Sequence, residues 1–289
     1  MMNIVKLLRP HQYIKNLFIF APIFFSFTIT TNSISQSLIA FVLFSLIASS
    51  IYILNDYMDI EEDKKHPIKS NRPLANGSIS KKQAINLFIL LSLVSLVSSF
   101  LYNISLFFVL LLYFILNIAY SLKLKHISII DIFIISTGFV LRLFAGSVSS
   151  EIYLSYWIII MTFLLALFLA IAKRRDDVLL SNQGKETRKN IDGYNLEFVN
   201  ASMVLMAAVI IVSYILYTVS NEVIIKFNTE YLYMTTFFVI LGILRYMQIT
   251  FVEEKSGSPT SIVSKDIFLK VTILAWLCSF IVVVKIWIS

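Results

Sequence analysis

Charge is scarce in this 289-residue chain. Charged residues make up 14% of it, hydrophobic residues 58%, and the mean hydropathy is +0.83. Soluble domains carry roughly a quarter charged residues, so the deficit excludes an ordinary soluble fold and marks an integral membrane protein. Cysteine is nearly absent: Cys278 stands alone inside an apolar run, which excludes an internal disulfide. His11, His66 and His126 have no zinc-ligand spacing, and no Ser/His or Cys/His pair points to a nucleophile with its base. Acidic residues number 17 against 24 basic ones, a net charge of +7. In so apolar a chain that excess is read from where it lies, and it does not argue for nucleic acid as a partner. The first apolar run, from Leu17, follows Lys6, Arg9 and Lys15 and contains Pro22, but no small-residue cleavage site follows it. It is read as a retained helix, not a signal peptide.

Cutting the chain at charges and turn residues leaves nine apolar stretches: 17–31, 36–57, 82–101, 104–122, 127–148, 153–173, 198–219, 231–250 and 267–288. A hydrocarbon core of about 30 Å takes roughly 20 helical residues to cross. Lipid offers the backbone no hydrogen bonds, so all nine are expected to be helices of an all-α membrane protein. The connections alternate in charge. Those near 32–35, 102–103 and 149–152 contain no Lys or Arg, and 220–230 contains only Lys226. Every other basic residue except Arg142 and Lys285 falls in the N-terminal segment, in the connections near 58–81, 123–126, 174–197 and 251–266, or at the adjoining helix ends. The positive-inside rule then places the N-terminus in the cytoplasm and the C-terminus outside the cell (inner or plasma) membrane. No long linker separates a second domain, so residues 1–289 are expected to form one helical domain in the lipid bilayer. Oligomeric state is not legible, and a homo-oligomer is compatible with the pattern.

One stretch stands out against this background. Asn55–Asp63 reads Asn-Asp-Tyr-Met-Asp-Ile-Glu-Glu-Asp and follows directly on an apolar run. On a helix, Asp56, Asp59 and Asp63 recur at i, i+3 and i+7 and share a face. Three carboxylates on one stripe repel each other unless a cation lies between them. Mg2+ takes such oxygen ligands and leaves room for phosphate oxygens. A solvated acidic helix end has the same composition, and spacing alone leaves both readings open.

The loop that follows runs from Lys64 to Ser80 and carries Lys69 and Arg72, side chains suited to phosphate oxygens. Asn-Asp-x-x-Asp-x-x-x-Asp at 55–63, followed by Asn-Arg-Pro-Leu-x-x-Gly-x-Ile-Ser at 71–80, resembles the UbiA superfamily of intramembrane prenyltransferases. That resemblance implies a UbiA-like bundle of nine transmembrane helices with a cytoplasmic N-terminus. It also implies a Mg2+ site at Asp56, Asp59 and Asp63 that serves as the catalytic centre. Most members carry a second Asp-rich motif after helix six, where this chain has Ala172-Lys173-Arg174-Arg175-Asp176-Asp177. That basic run is joined by Arg9-Pro10-x-Gln12-x-x-Lys15-Asn16, Tyr120-Ser121-x-x-Leu124-Lys125-His126 and Gly138-Phe139-x-Leu141-Arg142-x-x-Ala145-Gly146. Together they resemble one branch, the polyprenyl-phosphate (decaprenyl-phosphate) phosphoribosyltransferases of cell-envelope glycan synthesis. The implied reaction moves 5-phosphoribose from phosphoribosyl pyrophosphate (PRPP) to a polyprenyl phosphate and releases pyrophosphate.

Charge distribution agrees with this branch. A prenyl donor brings one diphosphate, whereas PRPP with a lipid phosphate brings three separate phosphate groups, which call for cations in several places. Arg142 is the clearest case, because a charge near the middle of a spanning helix costs about 2.5–3.5 kcal/mol and usually faces a polar interior. An ion pair with Asp131 is its structural alternative, but helix rise sets the two about 16 Å apart. The candidate substrate-binding residues are Lys15, Asn16, Asn55, Lys69, Arg72, Tyr120, Lys125, Arg142, Lys173, Arg174, Arg175, Arg188 and Tyr194. Lys15 reads equally as a snorkelling anchor and Tyr120 as an aromatic-belt residue. The competing enzyme reading is a UbiA-type transferase moving a prenyl group from a prenyl diphosphate to an aromatic or other acceptor. A transporter is disfavoured because the carboxylates cluster at a helix end and not at the bilayer midplane.

Overall fold

The computed structural model describes residues 2–65, 69–182, 193–254 and 259–288. Among these, every regular element is helical. Among the described residues, eight helices are long and apolar enough to cross a membrane. They are α1 (Thr31–Met58), α2 (Lys81–Tyr102), α3 (Ile104–Leu122), α4 (Ile130–Ser150), α5 (Tyr156–Asn182), α6 (Leu196–Thr218), α7 (Thr236–Phe251), which reaches spanning length only with the turn before it as Tyr231–Phe251, and α8 (Ile267–Ile288). A 3-10 turn, Tyr231–Thr235, leads into α7. The chain is a multi-pass, all-helical membrane protein.

Two sequence expectations differ from this arrangement. The stretch expected as one spanning helix at 17–31 is a 3-10 segment, Pro10–Phe20, running into a short α-helix, Ala21–Ser26, so eight long helices are found among the described residues. Pro22, lacking an N–H, sits in the first turn of Ala21–Ser26 and so starts a new helix, and Phe27 closes it in the left-handed conformation. The stretch expected at 153–173 runs on as helix to Asn182, so Lys173, Arg174 and Arg175 lie on α5 and not in a connection. An i,i+3 ion pair between Arg174 and Asp177 supports that extension.

Polar caps set the helix starts that apolar patterning leaves vague. Thr30 and Ser33 form a reciprocal capping box at α1, and Ser80 and Gln83 form another at α2. Asn103 alone joins α2 to α3: its N–H closes α2 on Ser99 while its side chain caps Leu106.

The chain divides into two compact units, 1–159 and 160–289. In the first, α1 packs against α2, α3, α4 and the Pro10–Phe20 segment. Its buried core includes Ile19, Leu43, Phe44, Ile47, Leu106, Leu110 and Leu141. The Pro10–Phe20 segment lies so close to α4 that a Cβ on Gly146 would be 1.9 Å from the Ile19 carbonyl oxygen. A second apolar cluster, Leu7, Ile53, Ile60, Leu74, Ile79 and Ala84, ties the N-terminal helix Met2–Leu8 and the loop after α1 to the end of α1. In the second unit, α7 packs on α6 and α8, and the short helix Asn221–Phe227 contacts both α6 and α8.

Candidate active site

The acidic stretch is built on a break in the helix. α1 ends at Met58, Asp59 takes φ −98° and ψ 9°, and a short helix resumes at Ile60–Lys65. The hydrogen bond from Asp63 N–H to the Asp59 carbonyl, 2.8 Å, keeps the two pieces nearly continuous. Asp56 and Asp63 are buried and converge on a single nitrogen: Arg72 Nη1 donates to Asp56 Oδ1 at 3.0 Å and to Asp63 Oδ2 at 2.6 Å. Asp59 is held separately, by Lys125 and by Asn55 Nδ2 at 3.1 Å. The expected stripe of three equivalent carboxylates is therefore a pair plus one, because the break at Asp59 turns its side chain to a different partner.

The loop motif divides its labour. Gly77 occupies the left-handed region at φ 77°, Asn76 Oδ1 accepts from Ser78 N–H, and Leu74 and Ile79 bury themselves in the apolar cluster under the loop. Ser80 caps α2. What remains of the motif for chemistry is Arg72, which this framework delivers to the carboxylates. Lys69 sits half-buried three residues earlier, in the turn Lys69–Asn71.

Arg9 is a member of this cluster that sequence reasoning did not select. Its Nη2 donates to Asp56 Oδ1, and its guanidinium lies over the Tyr52 ring at 5.6 Å. It stands in the left-handed region at φ 54°, between Met2–Leu8 and Pro10–Phe20. The N-terminal segment is pinned to α1 by Tyr13 and Ser49, whose hydroxyls are 2.7 Å apart, and by Ser49 Oγ donating to the Leu8 carbonyl at 2.9 Å. Three cations, Arg9, Arg72 and Lys125, thus neutralise three carboxylates.

A second polar group lies deeper in the same unit. Arg142, buried in α4, donates from Nε to Asn16 Oδ1 at 2.8 Å and from Nη1 to the Gly138 carbonyl at 2.6 Å. Its guanidinium is ringed by Phe44, Phe139 and Tyr113 at 4.9, 5.2 and 5.4 Å. No carboxylate pairs with it among the described residues; Asp131 is not its partner. Asn16 is fully buried and gives its Nδ2 to Ser45 Oγ at 2.9 Å. Burial, reinforced by the charges of Arg142 and Arg9, pushes Lys15 down to about 8. Tyr120 is half-buried near the end of α3.

The remaining expected residues belong to the second unit. Lys173 is half-buried on α5. Arg174 is fully buried and pairs with Asp177. Arg175 donates to Asn200 Oδ1 at 2.9 Å and to the Thr250 carbonyl at 2.7 Å. Tyr194 is buried against Phe198, and Arg188 lies outside the described residues.

Among the described residues no three His, Cys, Asp or Glu side chains close around one point. The pair formed by Asp56 and Asp63 nevertheless suits one small hard cation, since such ions are commonly held by one or two carboxylates and completed by substrate phosphates. A cation there would take the place of Arg72 Nη1 and free the guanidinium for a phosphate oxygen.

Comparison with known proteins agrees with this architecture. The model of the UbiA prenyltransferase family matches residues 18–258. The decaprenyl-phosphate phosphoribosyltransferase of Mycolicibacterium smegmatis is 32% identical over 290 residues, covering 95% of this chain and 90% of its own. The Corynebacterium glutamicum protein of that name is 31% identical, covering 98% of this chain and 87% of its own. Among solved structures, a UbiA homolog from Archaeoglobus fulgidus bound to GPP and Mg2+ has a TM-score of 0.70 at 19% identity, covering 98% of this chain and 99% of that one. That last likeness is one of fold.

Proposed function

Because the chain belongs to the UbiA prenyltransferase family, we propose that it transfers 5-phosphoribose from PRPP to a polyprenyl phosphate of the decaprenyl type, releasing pyrophosphate, in the synthesis of a cell-envelope glycan precursor. The observation that carries this reading is Arg142, a buried cation with no carboxylate partner among the described residues, in the unit that also holds the carboxylate cluster. One diphosphate site accounts for Arg9, Arg72 and Lys125; a further unneutralised cation calls for a further anion. The names of relatives 31% and 32% identical over nearly the whole chain support the same choice.

In this reading Asp56, Asp59 and Asp63 hold Mg2+, the ion bound in the Archaeoglobus fulgidus homolog. When bound, Mg2+ neutralises the pyrophosphate leaving group. The residues of the chain do the rest. Arg9, Arg72 and Lys125 exchange their carboxylate partners for phosphate oxygens of PRPP and so orient it at the end of α1. The bond between the anomeric carbon and the pyrophosphate oxygen breaks, and its electron pair leaves with pyrophosphate. The ribose passes through an oxocarbenium-like transition state of the kind glycosidases use. An oxygen of the lipid phosphate, already ionised at neutral pH, then forms the new bond to that carbon. No proton need be removed, which is why no Ser/His or Cys/His pair is required. The site faces the cytoplasm of a cell-membrane protein whose N-terminus is cytoplasmic, and the stretch 17–31 supplies the ninth crossing. In the other unit, Arg175 is a candidate phosphate ligand on the same ground as Arg142, having no carboxylate pair among the described residues.

Pyrophosphate release by the purified protein in detergent tests the assignment. Release that requires PRPP and polyprenyl phosphate together supports it. Release from a prenyl diphosphate with an aromatic acceptor, and none from PRPP, overturns it.

A further inference from the structure

One face of α1 turns polar toward the C-terminal end of the helix. Ser45, Ser49, Tyr52 and Asp56 follow one another at alternating steps of four and three residues, which puts them within about 60° of each other around the helix. The N-terminal segment lies along this face in the opposite direction and takes up its polar groups in turn. Asn16 Nδ2 donates to Ser45 Oγ at 2.9 Å, the Tyr13 and Ser49 hydroxyls are 2.7 Å apart, and Arg9 donates to Asp56 Oδ1. Tyr52 is the exception. Half-buried, it has no hydrogen-bond partner for its hydroxyl among the described residues, and that oxygen is not sealed inside the fold as the unpartnered hydroxyls of Ser37 and Ser149 are.

Packing accounts for the ring of Tyr52 and not for its hydroxyl. The ring lies 5.6 Å from the Arg9 guanidinium and rests on the apolar core of the first unit, and phenylalanine would serve in both contacts. A phenol oxygen drawn into the interior of a membrane protein costs free energy unless something bonds to it, and tyrosine hydroxyls there usually find a partner. This one is neutral and can both donate and accept. Phosphate calls for cations and a prenyl chain calls for no polar group, whereas a sugar hydroxyl calls for a partner of this kind.

The place of Tyr52 on α1 selects the hydroxyl. It stands one helical turn before Asp56 and against Arg9, the residues that hold the pyrophosphate end of PRPP in the reading above. The anomeric carbon carries that pyrophosphate, and the hydroxyl on the next ring carbon is the sugar hydroxyl closest to it. We propose that Tyr52 is a specificity-determining residue for the sugar, its hydroxyl hydrogen-bonding the 2-hydroxyl of the ribose. The assignment rests on phosphoribosyl transfer as the reaction, since a prenyl diphosphate has no hydroxyl for Tyr52 to meet.

Ribose 5-phosphate and 2-deoxyribose 5-phosphate differ only in that hydroxyl, so contacts to the phosphate cancel between them. Binding of each to the purified full-length chain in detergent is measured by calorimetry with Mg2+ and pyrophosphate present, and melting temperatures establish that each variant is folded. Ribose 5-phosphate is expected to bind about tenfold more tightly than the deoxy sugar in the unsubstituted protein. In Tyr52→Phe, which keeps the ring beside Arg9, that ratio is expected to fall to about one. Ser49→Ala removes a hydroxyl that is used inside the fold and is expected to keep the ratio. Three results overturn the proposal: no preference for ribose 5-phosphate in the unsubstituted protein, a ratio unchanged in Tyr52→Phe, or a ratio lost equally in Ser49→Ala, which marks a general loosening of the face. The first of these needs no variant. A chain that loses the ratio in Tyr52→Phe but releases no pyrophosphate from PRPP would refute the reaction and leave the contact standing. Release from PRPP with the ratio unchanged in that variant would do the opposite.

Discussion

Arg72 Nη1 lies 2.6 Å from Asp63 Oδ2, and the same nitrogen is 3.0 Å from Asp56 Oδ1. One side chain from the loop after α1 therefore bridges two buried carboxylates, on oxygens that a divalent cation would also use. Metal and guanidinium compete for them, while guanidinium and substrate phosphate attract.

Arg72→Ala should consequently change two constants in opposite directions. The Mg2+ concentration for half-maximal rate is expected to fall several-fold as the competitor is removed, and KM for PRPP to rise about tenfold or more. Steady-state kinetics over a Mg2+ and PRPP grid reads both. If the two constants rise together, the guanidinium does not share the metal's oxygens.

Asp59 stands apart from that pair, bonded to Lys125 and Asn55. Asp59→Asn removes the charge and keeps the shape, and is expected to lower kcat about a hundredfold or more. Lys125→Met should raise KM for PRPP more than it lowers kcat. The comparison requires equal melting temperatures for both variants and the unsubstituted protein.

Lys15 sets a pH limit. Its proton affinity in the folded protein is lowered to about 8, first by burial and then by Arg142 and Arg9. A phosphomonoester is dianionic above about pH 7, so only the protein's charge changes as pH rises further. Affinity for geranyl phosphate should hold up to about pH 7.5 and fall through the range around 8 to 9 as Lys15 loses its proton. Lys15→Arg, which stays charged, should abolish that fall. The sign for stability is the reverse: the unfolded chain holds this proton more tightly, so the buried charge disfavours folding below about 8 and the penalty lifts as pH rises.

Gly146 gives a test of the packing that carries Lys15 and Asn16. A Cβ there meets the Ile19 carbonyl at 1.9 Å, so Gly146→Ala must push the Pro10–Phe20 segment off α4. A loss of about 1–3 kcal/mol is expected, seen as a lower melting temperature. Gly242, also helical, has only Thr272 Cγ2 at 3.8 Å, so Gly242→Ala should be neutral or mildly stabilising and serves as the control.

Much of this architecture is written in local pattern. The helix read at 104–122 matches Ile104–Leu122, and that read at 82–101 differs from Lys81–Tyr102 by one residue at each end, because charge and capping residues bound both runs. The broken form of the first span was not legible, because apolar length says nothing of how Pro10 and Pro22 divide it into a 3-10 segment and a short helix. The extension of α5 past 173 was hidden by its charges, which hydropathy scores as a loop although Arg174 and Asp177 pair within the helix. Asp56, Asp59, Asp63 and Arg72 were legible as neighbours in one motif. The role of Arg9 was not, since its contact with Asp56 spans 47 residues and a basic residue ahead of a first span looks like an anchor. The burial of Asn16 against Arg142, 126 residues away, was not legible either, since no local pattern shows it.

The most direct measurement follows two labels through one reaction. PRPP carrying carbon-14 in the ribose and phosphorus-32 in the β-phosphate of its pyrophosphate is incubated with the purified protein, polyprenyl phosphate and Mg2+, and lipid is extracted. Transfer of phosphoribose predicts carbon-14 in the lipid phase and phosphorus-32 in the aqueous phase as pyrophosphate, with both products lost on chelation of Mg2+ or in Asp59→Asn. Neither label entering the lipid, or phosphorus-32 appearing in it, would contradict it.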